Sequence, residues 1–145
     1  MAVIEASVVI YRPVEQVFSY VTNVKNLPEW ESGSIEAERT SPEPVGAGTT
    51  ARGIDKVMGR RMEWTSIVKD FKLNEEWIET ITTGSTLMEV HHSYDSLDGG
   101  TRFTMKYHIK ASGLLKLLVP VVASSMRRQM KENLGNLKKL LEARG

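Results

Sequence analysis

The stretch that decides the fold is EWIETITTGSTLMEVHHSYDSLDGGTRFTMKYHIK, residues 76–110. It divides into three β-rich runs, Glu76–Thr83, Thr86–Leu97 and Thr101–Ala111, with Gly84-Ser85 and Gly99-Gly100 between them. Links this short oblige neighbouring strands to run antiparallel. Taking Gly99-Gly100 as a two-residue turn places Ser96 opposite Phe103, Tyr94 opposite Met105, His92 opposite Tyr107 and Val90 opposite Ile109. That face is almost wholly apolar or aromatic. The other carries Glu89 opposite Lys110, His91 opposite His108, Ser93 opposite Lys106 and Asp95 opposite Thr104. A one-residue slip would mix the two sets, so the split fixes which face is buried. Across Gly84-Ser85 the same reasoning puts Trp77 beside His92, Glu79 beside Val90 and Ile81 beside Met88, all facing inward.

Upstream, Thr49–Met58 and Arg61–Phe71 read as two further strands around Gly59-Arg60, followed by the turn Lys72-Leu73-Asn74. Met62, Trp64, Ser66 and Val68 share one face of the second of these. The first is ambiguous, so the direction of Arg52, its one basic residue able to reach inward, is open. Ile35–Arg39 is a brief strand, and the Pro- and Gly-rich Ser41–Gly48 is a loop. Ala2–Ile10 is a Val- and Ile-rich strand ended by Pro13. Val14, Val17, Phe18 and Val21 then recur at helical spacing, and Asn23–Trp30 reads as a second short helix interrupted by Pro28. Downstream, a long helix from about Leu114 to Ala143 carries an apolar stripe of Val122, Met126, Met130, Leu134, Leu137 and Leu141. Pro120 suggests a kink or a separate first segment, and Gly135 a close backbone approach. The order predicts an α+β domain over 1–145: seven antiparallel strands, two short helices after the first, and a C-terminal helix lying on the sheet.

Composition narrows the function classes. The 145 residues suit one domain with a real core. With no cysteine, a disulfide scaffold, thiolate metal site and cysteine nucleophile are excluded. A net charge of +1 gives no case for nucleic-acid binding. Residues 1–105 hold 10 basic and 16 acidic side chains, and residues 106–145 hold 9 and 2. The basic helix is read as a solvated face, with weak membrane or protein docking as the rival. The N-terminal apolar run has no basic flank, and Gly113–Ser125 is interrupted by Lys116 and Pro120, so a soluble, cytoplasmic protein is expected.

Ile10-x-Arg12-Pro13-x-Glu15-x-Val17-Phe18-x-Tyr20-Val21, followed by Asn26-Leu27-Pro28-Glu29-Trp30, resembles the opening of polyketide cyclase/dehydrase-like proteins. These belong to the START-related ligand-binding superfamily. Gly46-x-Gly48-Thr49 and Gly100-Thr101-Arg102-x-Thr104 are similar to it too, and the resemblance covers essentially the whole chain. It implies a helix-grip fold, in which a curved seven-stranded sheet grips the long helix around a deep apolar cavity. The superfamily includes lipid carriers, aromatase/cyclases, cochaperone domains and quinone-binding proteins. It supplies no shared catalytic signature to carry over, and fold alone does not specify chemistry.

The inward faces gather more polar-tipped side chains than a purely structural core needs. The expected ligand-binding set is Trp64, Trp77, Glu79, Met88, Val90, His92, Tyr94, Phe103, Met105, Tyr107, Met126 and Met130, with Trp30 and Pro28 capping one end. The expected function is binding of a small hydrophobic or aromatic molecule, lipid-, quinone- or polyketide-like, with no cofactor, by a monomer or homodimer. The alternative is a cyclase or dehydratase using His92 and Tyr107 as acid and base on a carbonyl-rich substrate. His91 and His108, even with Glu89, fall short of a four-ligand metal site, so no metal is assigned. Gly46-x-Gly48 lacks the following helix of a phosphate loop, and Ser124-Ser125 lacks a visible His–Asp partner set.

Overall fold

The structure, a computed structural model, describes residues 2–42, 44–110 and 115–144. Strands β1 (Ala2–Ile10), β2 (Ser34–Arg39), β3 (Thr50–Val57), β4 (Arg60–Lys72), β5 (Glu76–Thr83), β6 (Thr86–Leu97) and β7 (Gly100–Lys110) form one antiparallel sheet. Their spatial order is β1-β7-β6-β5-β4-β3-β2, so β1 and β2 follow each other in sequence but lie at opposite edges. The chain crosses between those edges through α1 (Val14–Thr22), a 3₁₀ turn (Val24–Asn26) and α2 (Leu27–Trp30). Helix α3 (Leu115–Ala143) packs along β1 and against α2. This is the helix-grip architecture, and among the described residues no helix is long and apolar enough to cross a membrane.

The hairpins follow the alternation, with two turns displaced by one residue. The β6–β7 turn is Asp98-Gly99 and not Gly99-Gly100, so His92 pairs with Met105, Val90 with Tyr107 and Tyr94 with Phe103. Every β6–β7 pairing is displaced by two residues, and a shift of two leaves each side chain on its face. Gly99 takes the positive φ of +74° that Asp-Gly turns favour. Gly100 instead lies against the Ile10 carbonyl, where a Cβ would stand 2.7 Å from the oxygen. The β3–β4 turn likewise falls one residue early, at Met58-Gly59. The β5–β6 pairing of Trp77 with His92, Glu79 with Val90 and Ile81 with Met88 is as read from the sequence.

Two helical readings change. Pro28 does not interrupt a helix but sits at the start of α2, where its missing N–H has no partner to lose. α3 runs through Pro120 without a separate first segment, and open space surrounds the position a Gly135 Cβ would take. Leu114 and Ala111, read as the helix start and the end of the last strand, lie outside the described residues.

Candidate functional site

A cavity of about 390 Å³ lies between the inner face of β3–β7 and the first half of α3, with α2 and the residues after it at one end. That volume is within the range of small-molecule sites. Trp30, Trp64, Trp77 and Tyr107 give it aromatic walls, and Met62, Met88, Met105, Met126 and Met130 give it deformable ones.

Local pairing places its polar groups. Trp77 and His92 are cross-strand partners, and their rings stack at 3.7 Å with 6° between planes. The stack aims His92 Nε2 at Glu79 Oε2, 2.7 Å away, while buried His92 Nδ1 has no partner. Trp77 donates its indole N–H to the Tyr94 hydroxyl at 2.9 Å. On β3, Gly53 pairs with Trp64. The indole covers that glycine so closely that a Cβ would lie 2.3 Å from Trp64 Cζ2. Trp64 donates to Asp55 Oδ1 at 3.1 Å. Glu31, the residue ending α2, brings a third carboxyl to the lining.

These carboxyls shape the electrostatics. Burial, then Asp55 and Glu79, push the Glu31 carboxyl up to about 8. Burial raises Asp55 as well, against the opposing hydrogen bond from Trp64. Tyr107 is held well above the usual phenol range by burial first and then by Glu31, Glu79 and Asp55. Its hydroxyl therefore stays protonated, able to donate a hydrogen bond and unsuited to act as a phenolate base.

Nine of the twelve expected residues line the cavity: Trp64, Trp77, Glu79, Met88, His92, Met105, Tyr107, Met126 and Met130. Val90, Tyr94 and Phe103 face inward but belong to the packed core beside it. Tyr94 contacts both Phe18 and Phe103 with ring centroids 4.9 Å apart, so it fills space and leaves none open. His92 and Tyr107 are diagonal neighbours and not direct partners. Trp30 lines the cavity, while Pro28 is exposed and does not. Arg52 points outward and pairs with Glu38. His91 and His108 sit on the outer face with ring centroids 5.0 Å apart, and His91 Nε2 meets Glu89 Oε1 at 2.9 Å.

Sequence reasoning missed Glu31, Asp55 and the role of Gly53. Choosing Met58-Gly59 as the turn would have placed Gly53 against Trp64 and Asp55 against Met62, both facing in. Glu31 follows a one-turn helix and carries no periodic signal.

Residues 1–142 match the family model described as polyketide cyclase/dehydrase and lipid transport. No curated protein matches the chain. Among solved structures, a protein from Thermus thermophilus superposes with a TM-score of 0.84 at 18% identity, covering 99% of each chain. An aromatase/cyclase from Streptomyces sp. R1128 gives a TM-score of 0.78 at 16% identity, covering 99% of this chain and 94% of that one. A START superfamily protein from Mycobacterium smegmatis gives 0.72 at 16% identity, covering 98% and 95%. At these identities the likeness is one of fold.

Proposed function

The chain belongs to the polyketide cyclase/dehydrase and lipid transport family, and we propose that it binds a small hydrophobic or aromatic molecule in the cavity between sheet and α3. The observation carrying this reading is the cavity itself, whose walls are aromatic and methionine side chains with a few convergent polar groups. Native mass spectrometry of the purified protein, followed by extraction, tests it. A co-purified apolar molecule displaced by Trp77→Ala or Met105→Ala supports it. An empty protein that binds no member of an aromatic and lipid panel refutes it.

A second reading is favoured by the His92–Glu79 pair and by the fold shared with an aromatase/cyclase. A histidine oriented by a carboxylate can take a proton from carbon next to a carbonyl. Such a step builds negative charge on oxygen, which a catalyst must stabilise. Here Glu31, Asp55 and Glu79 line the cavity together with Arg39 and Lys56, so its charges are mixed, and Arg52 is turned away. His92→Ala and Tyr107→Phe separate the two readings. For binding alone, each loses about 0.5–1.5 kcal/mol of affinity. For catalysis, product formation falls about 10²–10⁴-fold with binding intact.

A further inference from the structure

Exposed apolar side chains concentrate in two segments. One is the β3–β4 hairpin, where Val57, Met58 and Met62 are exposed, Met58 to 97%. Pairing with β2 reaches Ser34–Asp55 and pairing with β5 reaches Thr65–Thr82, so residues 57–62 project beyond both neighbouring strands. Met58 holds φ at +51°, in a turn position that favours Asn or Gly, and its side chain is given to solvent. The other segment is the start of α3, where Leu117, Leu118, Val121 and Val122 are exposed. Leu117 and Val121 stand one turn apart, with Leu118 and Val122 beside them.

Both segments lie at the mouth of the cavity. β3, β5 and β7 end on one side of the antiparallel sheet, and α3 begins at Leu115, shortly after β7 ends at Lys110. Val57, Met62 and Val122 are exposed and also line the cavity, so apolar surface continues from the rim inward. Cations accompany each segment. Between Asp55 and Glu63 the hairpin carries Lys56, Arg60 and Arg61, while α3 carries Arg127, Arg128 and Lys131 with no acidic residue before Glu132. All six are exposed, and among the described residues none is in an ion pair. Glu31 and Asp55 belong to the lining behind this rim. Scattered exposed apolar residues need no explanation, but clusters flanked by cations fit an apolar layer with an anionic surface. Two separate projections also suit a fluid phase, which receives them without matching their shape, whereas a rigid partner must match both at once.

We propose that this end of the molecule docks on an anionic lipid bilayer. The hairpin tip and the first turns of α3 enter the apolar layer, and the six cations meet lipid headgroups. The docking stands whether or not the cavity takes a ligand. The test floats the full chain with vesicles of phosphatidylcholine alone and of phosphatidylcholine containing about 30% phosphatidylglycerol. Binding is expected on the anionic vesicles, weakened about tenfold or more at about 1 M salt, where the Debye length is about 3 Å. Met58→Ser/Val121→Ser is expected to weaken it about tenfold or more. Arg60→Gln/Arg61→Gln and Arg127→Gln/Arg128→Gln should each do the same, since every cation near such a surface contributes. Lys69→Gln/Lys72→Gln, toward the opposite end of β4, should leave binding unchanged. All these positions are exposed, so circular dichroism is expected to show the fold retained. No binding to anionic vesicles, equal binding to neutral ones, or full binding by Met58→Ser/Val121→Ser overturns the proposal. A dimer in light scattering that this variant splits, without vesicle binding by the wild type, assigns the surface to a second copy and overturns it too.

Discussion

Met126 and Met130 share a stripe of α3 with Leu134, Leu137 and Leu141, yet the two groups face different interiors. The three leucines are at most 1% exposed and pack among Ile4, Ile10, Val17 and Phe103. There the last turns of α3 are tied to the first strand: Glu142 accepts from the Tyr11 N–H at 2.9 Å, the Val9 carbonyl from Lys138 at 2.7 Å, and the Leu141 carbonyl from Arg12 at 3.1 Å. The methionines, one to two turns earlier, look onto the cavity, and Val122 before them is exposed. One helix and one sheet thus build a filled end and a hollow end. The difference lies in side-chain choice and anchoring: leucines of α3 fill the tied end, while its methionines look onto space lined by tryptophans and carboxyls.

The contrast is broken or sharpened most directly by paired truncations. Leu137→Ala should cost about 3–5 kcal/mol, because it opens a void in close-packed surroundings. Met126→Ala, beside space already open, should cost about 1 kcal/mol or less. Urea midpoints of the ligand-free proteins measure both, and equal losses would mean that the two ends are packed alike.

The next effect belongs to the hollow end alone. Glu31 has its carboxyl raised from the ordinary 4.5 to about 8, so the folded chain keeps a proton that the unfolded chain gives up. Its contribution to stability is full below about pH 4.5 and is lost as pH rises through 8. Glu31→Gln should therefore gain about 2–4 kcal/mol over wild type at pH 9 and almost nothing at pH 4. Denaturation at the two pH values checks this, and a gain independent of pH would assign the effect to something other than the proton.

At the filled end, Tyr94→Phe leaves the Trp77 indole N–H without its acceptor. A loss of about 1–2 kcal/mol in the urea midpoint is expected, since the ring still packs and only the hydroxyl goes. Smallest is Arg52→Ala. The Arg52–Glu38 pair is outward and exposed, so neither stability nor ligand affinity should move measurably. A loss of binding in this variant would place Arg52 inside after all.

The strand faces were legible because their period is two, and even the displaced β6–β7 turn left them intact. Both Asp98-Gly99 and Gly99-Gly100 satisfy local turn chemistry. The choice is made by Gly100 packing on the Ile10 carbonyl, a contact from the other end of the chain. Filled versus hollow was not legible from alternation. Met88, Val90 and His92 share a face of β6, yet Met88 and His92 line the cavity and Val90 between them is packed into the core. Asp55 was lost with the undecided β3 register, and Glu31 because a single helical turn leaves no pattern.

The pairing of β1 with β7, and of α3 with β1, sets the timetable of folding as the chain is made. β1 is synthesised about a hundred residues before its sheet partner, and its helical cover comes later still. Meanwhile Ile4 and Ile10 have neither neighbour, and the β2–β6 meander, whose contacts are local, is free to form first. Closure of the sheet edge and docking of α3 are then late events joining distant segments. The filled end, the most tightly packed part of the finished molecule, waits on the ribosome longer than the meander does.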